Sequence, residues 1–207
     1  MVKDYRFIGI APEVDLKERG SALLNKRTEP FTFDEMRGYK VFTALLTQSG
    51  GDDTIGLNSG NLTIGVTYEI SYVGRENYDF TNVGAPNNNY GTKFVATGIT
   101  PNSWGIGGSS DDLLAYNTGA PVATVLENTI GNVWFTYSGV GIYKVHTTNE
   151  FDTSKTIYSF ELTTLGTYIY SSFDDSGVFP LTLNSTDVNG DVDGYIFQRP
   201  IEIRVYN

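Results

Sequence analysis

The 207-residue sequence has no cysteine, a single histidine, two tryptophans and two methionines. Without cysteine there is no disulfide framework, no thiolate-held zinc, no iron–sulfur centre and no thiol nucleophile. Positive charge is scarce as well: 14 Lys and Arg stand against 24 Asp and Glu, a net charge of −10. So acidic a chain gains little by displacing counterions from a phosphate backbone, and nucleic acid is not an expected partner. Long apolar runs are also missing. Gly, Asn, Thr or a charge interrupts each hydrophobic stretch before it reaches the roughly 18 to 20 residues of a membrane-spanning helix. In the first thirty residues the longest apolar run, Phe7 to Pro12, is too short for a secretory leader. The expected setting is synthesis in a cytoplasm, with no membrane partner.

What the chain does have is aromatic residues (14 Tyr and 12 Phe) and 23 Gly. Residues 1–40 carry eight basic side chains against seven acidic ones, leaving six basic and seventeen acidic, a net −11, in residues 41–207. A nearly neutral arm thus precedes an acidic body. The arm shows no steady period, apart from a candidate helix over Asp15–Lys26 and a short one over Asp34–Arg37. Two expectations stand for it: it packs along its own body, or it anchors on a partner subunit with Arg19, Lys26 and Arg27 meeting carboxylates.

From residue 39 the texture becomes β-branched and aromatic runs cut by Gly, Asn and Asp, the signature of strands. In LTIGVTYEISY, alternation places Leu62, Ile64, Val66, Tyr68, Ile70 and Tyr72 on a buried face, with Thr63, Gly65, Thr67, Glu69 and Ser71 on a wet one. In IEIRVYN, Ile201, Ile203 and Val205 point inward, and Glu202 and Arg204 outward. Further strands are expected over Val41–Gln48, Lys93–Thr97, Val122–Glu127, Val133–Tyr137, Gly141–Thr147, Thr156–Thr163, Thr167–Phe173 and Val178–Leu183. Tight turns are expected at Asn128–Gly131, Ser138–Gly141, Asp174–Gly177 and Asn189–Gly194. This spacing predicts an all-β chain, an antiparallel sandwich or barrel.

Catalytic chemistry finds little to work with. His146 is the one imidazole, set mid-strand in IYKVHTT, and no G-x-S-x-G elbow occurs, so a structural role is expected for it. GIGGSS (Gly105–Ser110) lacks the Lys-Ser/Thr of a phosphate loop and reads as a linker. The acidic pairs Asp52–Asp53, Asp111–Asp112 and Asp174–Asp175 fall in turns rather than facing across a cleft, unlike a glycosidase pair. No enzyme activity and no cofactor are expected. The residual metal candidate is DVNGDVDG, where Asp187, Asn189, Asp191 and Asp193 alternate like the start of a calcium loop. Its spacing then fails, with Val192 at the sixth position and Gln198 at the twelfth, so a solvated hairpin tip is the simpler expectation. Tyr78, Phe80, Tyr90 and Trp104 could fill a small core, meet another subunit or present a glycan platform, with Tyr78, Tyr90 and Trp104 as the sugar-facing set.

Two phrases, YKVFTALLTQSG (Tyr39–Gly50) and TGAPVATVLENTIGNVWFTYSGVGIYKV (Thr118–Val145), with the closing PIEIRVYN, resemble a module of virion structural proteins from tailed phages infecting Bacteroidetes, crAss-like phages included. Between them, residues 62–108 are similar to a small β module of such proteins, marked by DFTNVGAP, GTKFVATG and the Trp after TPNS. The matching stretches cover somewhat more than half of the chain. The resemblance implies an arm (1–36), an Ig-like or jelly-roll sandwich body (37–52 and 116–207) and an inserted lobe (53–115) joined through QSGGDDTIG and GGSSDDLLAYNTG, which read as linkers. It implies a virion protein, a capsid decoration or head fibre, whose partners are other virion proteins and further copies of itself. The alternative it leaves open is a tail-associated module that binds a host glycan or receptor.

Overall fold

The computed structural model describes residues 38–107, 111–149, 151–160, 168–172 and 178–207. The arm with Arg19, Lys26 and Arg27, both candidate helices, and the Asp174–Gly177 turn lie outside the described residues. Those described are strands and turns, with one short 3-10 turn at Thr81–Val83 and no helix long and apolar enough to cross a membrane. The strands in chain order are β1 (Tyr39–Thr47), β2 (Thr54–Leu57), β3 (Thr67–Ile70), β4 (Glu76–Asp79), β5 (Lys93–Val95), β6 (Ser103–Ile106), β7 (Leu114–Asn117), β8 (Val122–Asn128) and β9 (Val133–Gly139). They continue with β10 (Ile142–Thr147), β11 (Phe151–Asp152), β12 (Thr156–Phe160), β13 (Tyr168–Ser172), β14 (Val178–Phe179), β15 (Leu181–Asp187), β16 (Gly190–Asp191) and β17 (Arg199–Tyr206).

The body is built from two antiparallel sheets, β12-β17-β1-β8 and β13-β15-β10-β9, with β16 added to β15. Alternation explains why they stack. In β1, Phe42, Ala44 and Leu46 are fully buried; Phe42 stands opposite Ile203 and Ala44 opposite Ile201 of β17. In the other sheet Tyr143 and Val145 face Leu183 and Leu181, and Val145 also faces Phe135. Phe42 meets Phe135 with ring centroids 6.1 Å apart, linking the sheets through one apolar core. Each such side chain contributes about 1.5–3 kcal/mol by leaving water.

Strands β2 to β7 make their ladders only with one another, as β2-β7-β3-β5 and the ribbon β4-β6. Tyr68, Ile70, Phe80, Phe94, Leu113 and Leu114 form the centre of a second core. This lobe nevertheless belongs to the same compact unit as the body, Gly38–Asn207. The expected linkers are in part ordered pairings, residues 108–110 of GIGGSS and GGSSDDLLAYNTG lying outside the described residues. Thr54 to Leu57 pairs with Asn117 to Leu114, and Leu113 and Leu114 are buried completely; the polar letters GGSSDD conceal the apolar LLAY behind them. Gln48 is also buried, its side chain bonded to the carbonyl of Gly50 and the N–H of Gly194. Gly50 lies so close to Thr118 that a Cβ there would fall 2.0 Å from its carbonyl oxygen.

Two further expectations are corrected. The strand foreseen from Leu62 to Tyr72 holds only over Thr67–Ile70, because Gly65 adopts φ +88° and turns the chain, leaving Ile64 exposed. Val178–Leu183 divides at Pro180, which has no N–H to give a ladder: β14 pairs with β11, and β15 pairs with β10 and β13.

Candidate functional site

In the lobe, Asp79 of DFTNVGAP organises three loops. Its Oδ1 accepts from the Thr81 N–H (2.9 Å), the Thr81 hydroxyl (2.7 Å) and Asn88 Nδ2 (3.2 Å), and its Oδ2 accepts from Asn102 Nδ2 (2.8 Å). Asn82 ties the same loops together, donating to the Thr100 carbonyl and accepting from the Asn102 N–H. The Thr81 donors above all, then Asn102 and Asn88, hold the Asp79 carboxyl well below the usual carboxylate range. A carboxyl depressed by folding stabilises fully above its unfolded value near 4 and loses that contribution as pH falls below it. We expect Asp79→Asn to cost about 1–2 kcal/mol at neutral pH, a modest figure because solvent screens the site, and to flatten the acid side of the stability profile. Urea unfolding from pH 3 to 7 measures both.

The aromatic candidates do not form a platform. Trp104 donates its Nε1–H to the Gly60 carbonyl (3.0 Å) and packs edge-on against buried Phe80 at 5.3 Å. Tyr78 donates to the Asn88 carbonyl (2.7 Å) and packs on Phe80 as well, at 5.9 Å. Both are walls of the lobe core, while Tyr90 stands apart at 69% exposure.

In DVNGDVDG the four candidate ligands do not converge, and among the described residues no group of three His, Asp or Glu side chains is placed to hold a metal. Asp187 accepts from the Asn189 N–H to close a turn, and Asp191 lies in the short β16 ladder. Asp193 turns inward, accepting from the hydroxyls of Tyr137 (2.9 Å) and Tyr143 (2.7 Å) and from the Gly141 N–H (2.8 Å). His146 stacks on Trp134 at 5.4 Å, 5° from parallel, with Nε2 2.8 Å from Thr136 Oγ1. Burial, then Lys93 and Lys144, press its pKa down to about 4, so it is neutral at pH 7.

Lobe and body meet at a seam built from side-chain and backbone hydrogen bonds. One face of the lobe sheet makes the lobe core; the other, carrying Thr67, Glu69 and Lys93, faces β9. Thr67 Oγ1 accepts the Phe135 N–H of the β9 edge (3.1 Å), and Asn132 Nδ2 donates to the Lys93 carbonyl (2.8 Å). Gly65 accepts the Ala123 N–H of the β8 edge (2.9 Å) and gives its own N–H to the Ala96 carbonyl (2.8 Å). The lobe thereby covers edge strands of both body sheets, removing donors that would otherwise invite pairing. Val95 from the lobe enters the body core, and Val122 from the body packs on the lobe core.

Beside this contact lies an open cleft of about 210 Å³, bounded by Thr67, Glu69, Lys93, Tyr116, Thr136 and Tyr137. Lys93 Nζ and Glu69 Oε2 are 3.2 Å apart in it and both side chains remain more than a third exposed. Sequence reasoning missed this cleft because its residues come from five strands and because Thr67 and Glu69 read as an ordinary wet face. Asp79 was legible in principle, since Asp-x-Thr is a local turn-closing pattern. No family model matches the chain, and no curated protein or solved structure does either.

Proposed function

We propose that this chain is a structural subunit of a tailed-phage particle, a decoration or head-fibre protein of the head exterior, which acts by subunit assembly without catalysis. What carries the reading is where the family-like phrases fall. VGAP contributes Gly84 and Pro86, FVAT contributes Val95 and Thr97, and LENTIGNV contributes Asn128, Gly131 and Asn132 to one groove of about 280 Å³ at the seam, with Phe42 of FTALL at its base. Phrases from two modules are thus spent on fitting one module to the other, the pattern of a part shaped for assembly. The net charge of −10 adds to this reading by keeping a high-copy surface protein dispersed. The competing assignment, a tail module reading sugars through Tyr78, Tyr90 and Trp104, loses two of its three rings to the lobe core.

The test is to purify particles of the phage that encodes the chain and image them by electron microscopy with an antibody against the lobe. Labels on the head, at a copy number tied to capsid symmetry, are the expected result. A chain missing from intact particles, or present only at the tail tip, overturns the assignment.

A further inference from the structure

The seam cleft has the features of a small-ligand subsite, and these do not depend on the particle reading. It lies where two packed modules meet, the usual place for a binding pocket. Its walls are held by a double-sided seat, in which Gly65 bonds the β8 edge and Thr67 the β9 edge, so a ligand would find the cleft already shaped. Its chemistry is mixed in a particular way. Glu69 and Lys93 place a strong acceptor and a strong donor 3.2 Å apart, and Tyr116 and Tyr137, half-buried against the lobe and body cores, border the cleft, the Tyr137 hydroxyl held by Asp193 and the Thr136 hydroxyl by His146.

An acceptor and a donor side by side match two neighbouring hydroxyls, each of which both gives and receives a hydrogen bond. The parts of the two tyrosines that border the cleft sit beside that pair, where a six-membered sugar would lay its C–H groups. About 210 Å³ suits a single ring, with the open side leaving room for the rest of a chain. Charge selects among sugars: the acidic body, with its net −11 over residues 41–207, works against uronates, sialates and phosphosugars. We propose that this cleft binds one neutral pyranose unit, with Glu69 and Lys93 gripping adjacent hydroxyls and the tyrosines bordering the ring.

The full chain, labelled with 15N, is titrated with the methyl glycosides of glucose, galactose, mannose and N-acetylglucosamine, with glucuronate as an anionic comparator. Expected is saturable movement of the Glu69, Lys93, Tyr116, Thr136 and Tyr137 amides by at least one neutral glycoside, with Kd about 1 mM. Glu69→Gln and Lys93→Met, both at half-exposed positions, each weaken that binding about tenfold while leaving the thermal midpoint nearly unchanged. Tyr90→Ala leaves it intact. The proposal is overturned by three outcomes: no saturable shift at the seam with any neutral glycoside, shifts confined to the Tyr90 surface, or tighter binding of glucuronate than of every neutral ring. Because particle location is read by microscopy and sugar binding by titration, failure of either leaves the other standing.

Discussion

Gly65→Val lifts the lobe off the body. A Cβ at position 65 falls 2.4 Å from the Ala123 carbonyl oxygen, a backbone atom that cannot swing aside, and the site also holds φ +88°, which a β-branched residue does not tolerate. The turn must move, and with it go the Ala123 N–H bond and the bond to Ala96. The expected cost is about 2–4 kcal/mol in urea unfolding, well above the strain of the backbone conformation alone. Gly91→Ala is the internal comparison: it has φ +78° but nothing within 4 Å of a Cβ, so it carries only about 1–2 kcal/mol of strain. The two also differ in kind. With the lobe displaced, the β8 and β9 edges lie open, so Gly65→Val sediments as concentration-dependent oligomers while Gly91→Ala stays at the size of the parent chain. Equal losses in the two variants, or an unchanged sedimentation profile for Gly65→Val, would refute the seat.

That seat marks the boundary between what the letters show and what only the fold reveals. Phe42 and Ala44 opposite Ile203 and Ile201 were legible from simple alternation, because one face of that sheet is dry and period 2 reports it. The same reasoning fails at Thr67. Its neighbours Val66 and Tyr68 are buried, so alternation assigns Thr67 to water, yet it is 7% exposed beneath β9. A sheet whose second face is covered only in part, here at Thr67 while Glu69 and Lys93 beside it stay in an open cleft, shows no break in its alternation, and a threonine there reads like any surface threonine until its hydroxyl is seen to receive the Phe135 N–H. Gly65 hides in the same way, since a glycine in an alternating run does not announce a left-handed turn. Trp104 and Tyr78 illustrate the converse: aromatic residues in an Asn-rich loop suggest a display surface, but a lobe this small needs its largest side chains for its own interior.

Asp193→Ala removes the one acceptor shared by Tyr137, Tyr143 and the Gly141 N–H. Tyr143 is fully buried, so its hydroxyl is left without a partner and without water, and about 2–4 kcal/mol of stability is expected to go. Asp193→Asn keeps one acceptor oxygen and should lose roughly half of that. The pH dependence separates this account from a simple packing defect. Burial first, and hydrogen bonding to Asp193 second, push Tyr137 up to about 12, and the same causes raise Tyr143 further still. A tyrosine with a raised pKa keeps its proton in the native protein after the unfolded chain has lost it. Its contribution is therefore complete below about pH 10 and drains away as pH climbs towards 12 and above. In Asp193→Asn the carboxylate's share of the shift is gone while the share from burial persists, so the alkaline decline is shallower and the advantage of the parent protein narrows between pH 10 and 12. Denaturant midpoints at pH 7, 9, 10 and 11 measure the slope. Parallel profiles for parent and Asp193→Asn across that range would mean that the carboxylate does not act on the tyrosines, and the inward-turned Asp193 would then be a feature of packing alone.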